Sequence, residues 1–95
     1  MSNFTVEIIS PARSVLKVDA REVILPSFEG EIGILKDHIP IITFLRPGII
    51  KILSDANHEF FVEDETVEFV NDNLLILTST ARKLSDLKKE NLNSI

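Results

Sequence analysis

Short stretches that alternate apolar and polar residues fill the first eighty positions of this chain. Near the start, Phe4, Val6 and Ile8 alternate with polar residues, which is the period-two pattern of a strand with one buried face. Further short stretches that predict extended strands follow, some alternating and some mainly apolar. They lie at 14–26, 31–35, 38–45, 48–53, 58–64, 66–70 and 74–80. No stretch before position 80 keeps a helical apolar period for long. The pattern therefore predicts an all-β protein, an antiparallel β-sandwich of short strands.

The breaks between these stretches contain residues that favour turns. Pro26 is expected to end the second stretch, and Gly33 predicts a bulge or a close backbone approach. Arg46-Pro47-Gly48 has Pro and Gly in the positions that a type II turn favours. Asn71-Asp72-Asn73 forms a short polar loop between two apolar stretches, which predicts a hairpin.

The C-terminal segment differs in pattern. Leu84, Leu87 and Ile95, with Leu92 nearby, form a partial helical stripe, and a helix of about 10 residues is marginal alone in water. We therefore expect a β-sandwich domain over 1–81 and a short helical or frayed tail over 82–95.

The segment 39–45 has an unusual composition. One alternation contains Ile39, Ile41, Thr43 and Leu45, and the other contains Pro40, Ile42 and Phe44, so both faces of the strand are apolar. A sandwich strand with one solvated face should instead alternate. Either the domain itself covers the outer face or a partner does, and a contiguous exposed apolar patch usually marks a protein interface. The segment favours a binding surface over purely structural burial, and favours an enzyme least.

Composition narrows the class of protein further. Ninety-five residues make one domain with a mainly aliphatic core, because the chain is 44% hydrophobic without Trp or Tyr. The net charge of −5 opposes binding to nucleic acid or to anionic lipid. The absence of cysteine excludes disulfides and suits a reducing compartment. With no signal peptide or apolar stretch of about 20 residues, we expect a cytosolic or membrane-peripheral protein.

Candidate catalytic and metal sites have little support. His38 and His58 have no ligand spacing around them. Glu29 and Glu31 could share a face of a strand, but a solvated turn or a contact with a partner explains them better than glycoside chemistry. A cluster of five carboxylates is expected to form a solvated sheet edge. The cluster comprises Glu59, Glu63, Asp64, Glu65 and Glu68. We predict no catalytic residue, no metal and no cofactor.

Three motifs in order, "EGEIGIL", then His38 with "PIITFL", then "RPGIIKI", resemble the signature of the epsilon subunit of rotary F-type ATP synthases. The resemblance covers about 4–81, which corresponds to that family's N-terminal domain. Lys36-Asp37 stands where the family commonly has Pro-Gly, and "EDET" at 63–66 replaces a common S-G-G. A turn that loses glycine needs a residue that tolerates positive φ, and Asp is suited to that.

The resemblance implies a ten-stranded β-sandwich in the central stalk, a rotor part that couples proton-driven rotation to ATP synthesis without an active site. It implies that His38, Ile42, Thr43 and Phe44 lie on the side that binds the gamma subunit. It also implies that Glu29 and Glu31 face the polar loops of the c-ring.

Membrane association would come only through the complex, on the cytoplasmic face of a bacterial inner membrane or its organellar equivalent. Some members have a further helical hairpin, of which only the beginning could exist here, so its inhibitory role and ATP site are not carried over. The alternative is a β-sandwich interaction module for an unrelated partner.

Overall fold

Ten β-strands form the part of the chain that the computed structural model describes, which comprises residues 3–11, 13–63 and 65–78 and the backbone of 82–83. They are β1 (Phe4–Ile9), β2 (Ser14–Ala20), β3 (Glu22–Ser27), β4 (Gly30–Leu35), β5 (Ile41–Leu45), β6 (Gly48–Leu53), β7 (His58–Val62), β8 (Glu65–Val70), β9 (Asn73–Leu77) and β10 (Arg82–Lys83). The prediction of an all-β fold of about ten short strands is confirmed. Apart from β10, the predicted helical tail lies outside the described residues.

The strands are hydrogen bonded in the order β10-β7-β6-β3-β5-β8-β9-β1-β2, and β4 pairs with β3. Neighbours are antiparallel except for β1 and β9, which pair in parallel through the register Val6↔Leu74. The strand β3 changes neighbour along its length, since Val23 pairs with Ile52 of β6 whereas Ser27 pairs with Leu45 of β5. We infer that the sheet turns from one layer to the other at this change of neighbour.

All strands from β1 to β9 contribute to a single core. One alternation of β1, β3, β8 and β9 is buried while the other is partly or fully exposed. A flat sheet would leave that core face in water, so the sheet must fold over itself into two layers. The core side chains are at most 3% exposed and comprise Phe4, Val6, Ile8, Ala20, Val23, Leu25, Ile34, Leu45, Ile50, Ile52, Phe60, Val62, Val67, Phe69, Leu74 and Ile76.

Three local expectations need correction. Pro26 does not end β3 but lies within it, where its carbonyl accepts a hydrogen bond from the Arg46 amide at 2.9 Å. The pairing of β3 with β4 runs without a register shift, so Gly33 marks no bulge, and a Cβ there would lie 3.1 Å from the Glu22 carboxylate. Gly48 does not adopt the positive φ of a type II turn. A Cβ at Gly48 would lie 2.9 Å from Cβ of Pro26, so close packing of two strands explains this glycine.

Candidate protein-binding surface

The outer face of β5 is apolar and solvent exposed. Ile41 packs against the core and Leu45 is buried, so this alternation of the strand points inward. Ile42 and Phe44 belong to the other alternation, and they are 67% and 61% exposed. The domain therefore does not cover the second apolar face that the sequence predicted.

The same face continues across the neighbouring strands with both polar and apolar side chains. The residue opposite Ile42 on β8 is Glu68, which is exposed. Beyond it the register continues through Leu75 on β9 to Glu7 on β1 and Lys17 on β2. Phe44 lies opposite Thr66 on β8, which pairs with Leu77 on β9, and Leu77 is 47% exposed. The apolar part of this face therefore extends beyond β5.

A two-residue turn between β3 and β4 places Phe28 and Glu29 at the tip of a hairpin. The Ser27 hydroxyl donates a hydrogen bond to the Gly30 carbonyl at 2.6 Å and accepts one from the Glu29 amide at 3.3 Å. Gly30 has a φ of 122°, which L side chains rarely adopt. These bonds fix the turn, and both of its central side chains are exposed.

This tip adjoins the outer face of β5. The Phe28 amide donates to the Phe44 carbonyl at 3.4 Å, and the two residues line one cleft together with Leu45, Glu65 and Thr66. Phe28 is 67% exposed, and sequence reasoning did not assign it to the surface. An aromatic residue in a short polar turn is the signal that could have identified it, because turn positions usually carry small or polar side chains.

The two predicted acidic residues lie at the same end of this hairpin. Glu29 is in the turn, whereas Glu31 is the second residue of β4 and pairs with Pro26. Both are exposed. The hairpin therefore presents Glu29 beside Phe28, so the predicted acidic and apolar surfaces meet at this tip.

His38 lies in the loop between β4 and β5 and is half-buried. Its amide donates to the Leu35 carbonyl at 3.1 Å, and its Nδ1 is 2.6 Å from the Ile39 carbonyl oxygen. The imidazole meets the core ring of Phe69 edge to face, with the ring centroids 5.9 Å apart. These contacts hold the imidazole against the domain at the start of β5.

Thr43 does not share a face with its neighbours on β5. It is half-buried, and it lies on the alternation of Ile41 and Leu45 opposite Val67 of β8. The structure therefore brings Ile42, Phe44 and Phe28 together, with His38 at one end of β5 and Thr43 turned inward.

A clip of hydrogen bonds joins the β4–β5 loop to the β8–β9 turn. The Asp72 carboxylate accepts from the Asp37 amide at 2.7 Å and from Lys36 Nζ at 3.0 Å. The Asp37 amide, and then the Lys36 ammonium, hold the pKa of Asp72 below its ordinary value. The hydrogen bond and the charge of Asp72 in turn raise the pKa of Lys36. Asp37 has a φ of 67°, which confirms the prediction that this position must tolerate positive φ.

The acidic cluster is only partly the solvated edge that was expected. Asp64 lies outside the described residues. Glu59, Glu63 and Glu68 are exposed, but Glu65 is 3% exposed. Its Oε1 accepts from the Glu63 amide at 3.1 Å, whereas its Oε2 is buried and has no hydrogen-bond partner within the described part of the chain. The reason is register, because Glu65 shares the inward alternation of β8 with Val67 and lies opposite the core residue Leu45.

The described ranges offer neither a metal-ion cluster nor a membrane-spanning helix. These residues contain no group of three or more His, Asp or Glu side chains placed to hold a metal ion. They also include no helix with the length and hydropathy that crossing a membrane requires.

The β-sandwich domain of the ATP synthase delta/epsilon chain matches residues 3–84. The ATP synthase epsilon chain of Pelagibacter ubique is 50% identical over 94 residues, which is 97% of this chain and 72% of the relative. The epsilon chain of Polynucleobacter necessarius is 39% identical over 89 residues, which is 92% of this chain and 64% of the relative. The chain therefore spans about two thirds of the length of these two relatives.

Solved structures show the same fold. A chain in the cryo-EM structure of the Euglena gracilis mitochondrial ATP synthase, with OSCP, F1 and c-ring, superposes with a TM-score of 0.87 at 18% identity. That match covers 99% of this chain and 61% of the other. A chain of the Tetrahymena thermophila mitochondrial ATP synthase central stalk and c-ring superposes with a TM-score of 0.75 at 15% identity, over 88% and 69% of the two chains.

Proposed function

Because this chain belongs to the ATP synthase delta/epsilon family through its β-sandwich domain, we propose that it is a rotor subunit of a rotary ATP synthase. It binds the gamma subunit and the c-ring in the central stalk and couples proton-driven rotation to ATP synthesis. It has no active site of its own. It is peripheral to the membrane, on the cytoplasmic face in a bacterium, and is held there through the complex.

The exposed outer face of β5 is the observation that carries this proposal. Leaving Ile42 and Phe44 in water is unfavourable, because burying such a side chain contributes about 1.5–3 kcal/mol. A partner that covers both recovers this free energy on binding. The gamma subunit is the proposed partner on this side. His38 lies at one end of the contact, and the half-buried Thr43 supports from the inner face the strand that carries it.

The acidic hairpin tip supports the second contact. Glu29 and Glu31 are exposed at one end of the β3–β4 hairpin, where a basic loop of the c-ring can approach them. Carboxylates at such a border set orientation and association rate more than affinity. The contact with the c-ring is therefore expected to be sensitive to salt.

The test of the gamma contact is co-purification. We expect the chain to be recovered with the gamma subunit in equal amounts, and the Ile42→Asp, Phe44→Asp double variant to be lost from the complex while it stays folded by circular dichroism. The matched control is Ala56→Asp, which places a carboxylate at an exposed position in the loop between β6 and β7 and should leave recovery unchanged. Full recovery of the folded double variant would count against the outer face of β5 as the gamma contact. Capture of only unrelated proteins by the wild-type chain would favour the alternative, a binding module for a different partner.

The c-ring contact has its own test. The Glu29→Gln, Glu31→Gln double variant should bind c-rings in detergent more weakly at about 0.05 M salt than the wild-type chain, with the difference shrinking at about 0.5 M as charges are screened. Glu59→Gln, an exposed glutamate on β7, is the control. Equal binding of all three proteins at low salt would refute the assignment.

A further inference from the structure

Glu65 is a charged residue type in a position that the rest of β8 gives to core side chains. It is 3% exposed, and its Oε2 has no partner among the described residues. The described ion pairs join Arg21 to Asp55 and Lys36 to Asp72, so neither involves Glu65. A buried polar atom without a partner carries an unrecovered desolvation cost.

The Glu65 side chain also lines a cleft beside the exposed apolar surface that Phe28, Ile42 and Phe44 form. This cleft has a volume of about 220 Å³ and is lined by Phe28, Phe44, Leu45, Glu65 and Thr66. Since one water occupies about 30 Å³ of liquid, the cleft has room for the end of a long side chain. The Phe28 and Phe44 side chains are more than half exposed, so both can rotate to admit one.

A cationic side chain satisfies every feature of this cleft. Its N–H groups would donate to Oε2 in a charge-assisted hydrogen bond, which is stronger than a neutral one. Its charge would lie beside the side chains of Phe28 and Phe44, which line the cleft, and cations bind favourably to aromatic rings. An arginine suits both contacts, because its planar guanidinium donates in a fork and stacks on rings.

We propose that Glu65 forms an ion pair with a basic side chain, an arginine or lysine, of the subunit that covers the outer face of β5. The proposal rests on the proposed function for the identity of that subunit as gamma. It assigns Glu65 as a specificity-determining contact of the interface and explains why an unpaired carboxyl oxygen persists in the free domain.

The first arm of the test measures binding of the full chain to the gamma subunit. We expect Glu65→Gln to weaken binding by about tenfold or more, the size of one charge-assisted hydrogen bond. The matched control is Glu63→Gln, since that neighbouring glutamate is exposed and uses only its backbone amide in the contact with Glu65. A double-mutant cycle with the arginines and lysines of gamma should show coupling to Glu65 for one of them. Equal affinities of wild type and Glu65→Gln would overturn the proposal.

The second arm needs no partner and separates this proposal from the proposed function. Glu65→Gln keeps an oxygen that can accept from the Glu63 amide but removes the carboxylate, so the melting temperature of the free chain should rise. A folded variant with a higher melting temperature supports the proposal that Glu65 lacks its partner in the free domain, even if gamma proves to be the wrong subunit. A lower melting temperature would mean that the Glu65 carboxylate stabilises the free domain, and this result would overturn the proposed ion pair. Failure of the wild-type chain to bind gamma, by contrast, would refute the proposed function alone.

Discussion

At the scale of single residues, three of the described residues other than glycine adopt positive φ, and each is Asn or Asp. They are Asp37 at 67°, Asn71 at 51° and Asp72 at 59°. Short polar side chains tolerate this left-handed region better than other L residues do. Positive φ at both central residues of a two-residue loop defines the type I′ turn, whose twist matches that of the strands it joins. The hairpin predicted from Asn71-Asp72-Asn73 is confirmed, with Asn73 serving as the first residue of β9.

Substitution at Asn71 tests this turn. Asn71→Ala should lower the free energy of unfolding by about 1 kcal/mol, because a Cβ without a compensating polar group is disfavoured at positive φ. Asn71→Gly should be nearly neutral, since glycine adopts the same φ without steric conflict. Urea denaturation of the two variants measures the difference. Equal stability of the Ala and Gly variants would contradict the proposed role of the backbone angle.

The clip at Asp72 predicts a dependence of stability on pH. Because the pKa of Asp72 is lowered in the folded chain, its contribution is present above the ordinary carboxyl value of 3.8 and is lost as pH falls through the lowered folded-state value. Thermal melts of wild type and Asp72→Asn should therefore differ at neutral pH and converge below the folded-state pKa. Asp55→Asn serves as the control, as that residue is fully exposed in its pairing with Arg21 at 3.6 Å. A difference that persists unchanged in acid would contradict the linkage.

Single-residue reasoning from sequence reached some of these features and missed others for a physical reason. Asp37 could be predicted, because the requirement for positive φ is local. The hydrogen bond from its amide to Asp72 joins residues 35 positions apart and has no local signal. Glu65 was assigned to a solvated edge because its neighbours in sequence are acidic, whereas its burial depends on which alternation of β8 faces the core.

At the scale of elements, β5 shows how much an alternation pattern can reveal. The sequence predicted apolar faces on both sides, and the structure assigns Ile41 and Leu45 to the core and Ile42 and Phe44 to solvent. Register explains the difference, since Ile41 lies opposite the core residue Phe69 of β8, whereas Ile42 lies opposite exposed Glu68. A separate feature of β5 is its pairing, because it shares five residue pairs with β8 but only Ser27↔Leu45 with β3. Most of one edge of β5 therefore has no described backbone partner.

The two faces of β5 should respond differently to substitution. The Ile42→Thr, Phe44→Thr double variant should change the free energy of unfolding of the isolated chain by less than about 1 kcal/mol, because exposed positions contribute little to folding. Leu45→Ala should cost about 2–5 kcal/mol, since it opens a cavity in the core. Guanidinium denaturation compares the two. A loss for the double variant as large as that for Leu45→Ala would show that the outer face is buried by the chain itself.

At the scale of the whole molecule, fold class was predictable but topology was not. Alternation identifies strands and the polar breaks separate them, which is why the β-sandwich prediction holds. The parallel pairing of β1 with β9 and the position of β3 between β5 and β6 depend on contacts distant in the chain. This topology also explains why Phe28 lies beside the exposed side chains of Ile42 and Phe44. The change of neighbour along β3 brings the β3–β4 turn next to Phe44.

The central claim is that another subunit of the synthase covers the outer face of β5. Since the chain contains no cysteine, single cysteines can be introduced as Ile42→Cys or Phe44→Cys and their rates of maleimide labelling compared. Asp55→Cys, in the exposed β6–β7 loop, reports any general slowing in the large complex. We predict fast labelling at 42 and 44 in the free chain and at least about tenfold slower labelling in the assembled synthase, with little change at 55. Equally fast labelling at 42 and 44 in the assembled synthase would contradict the account.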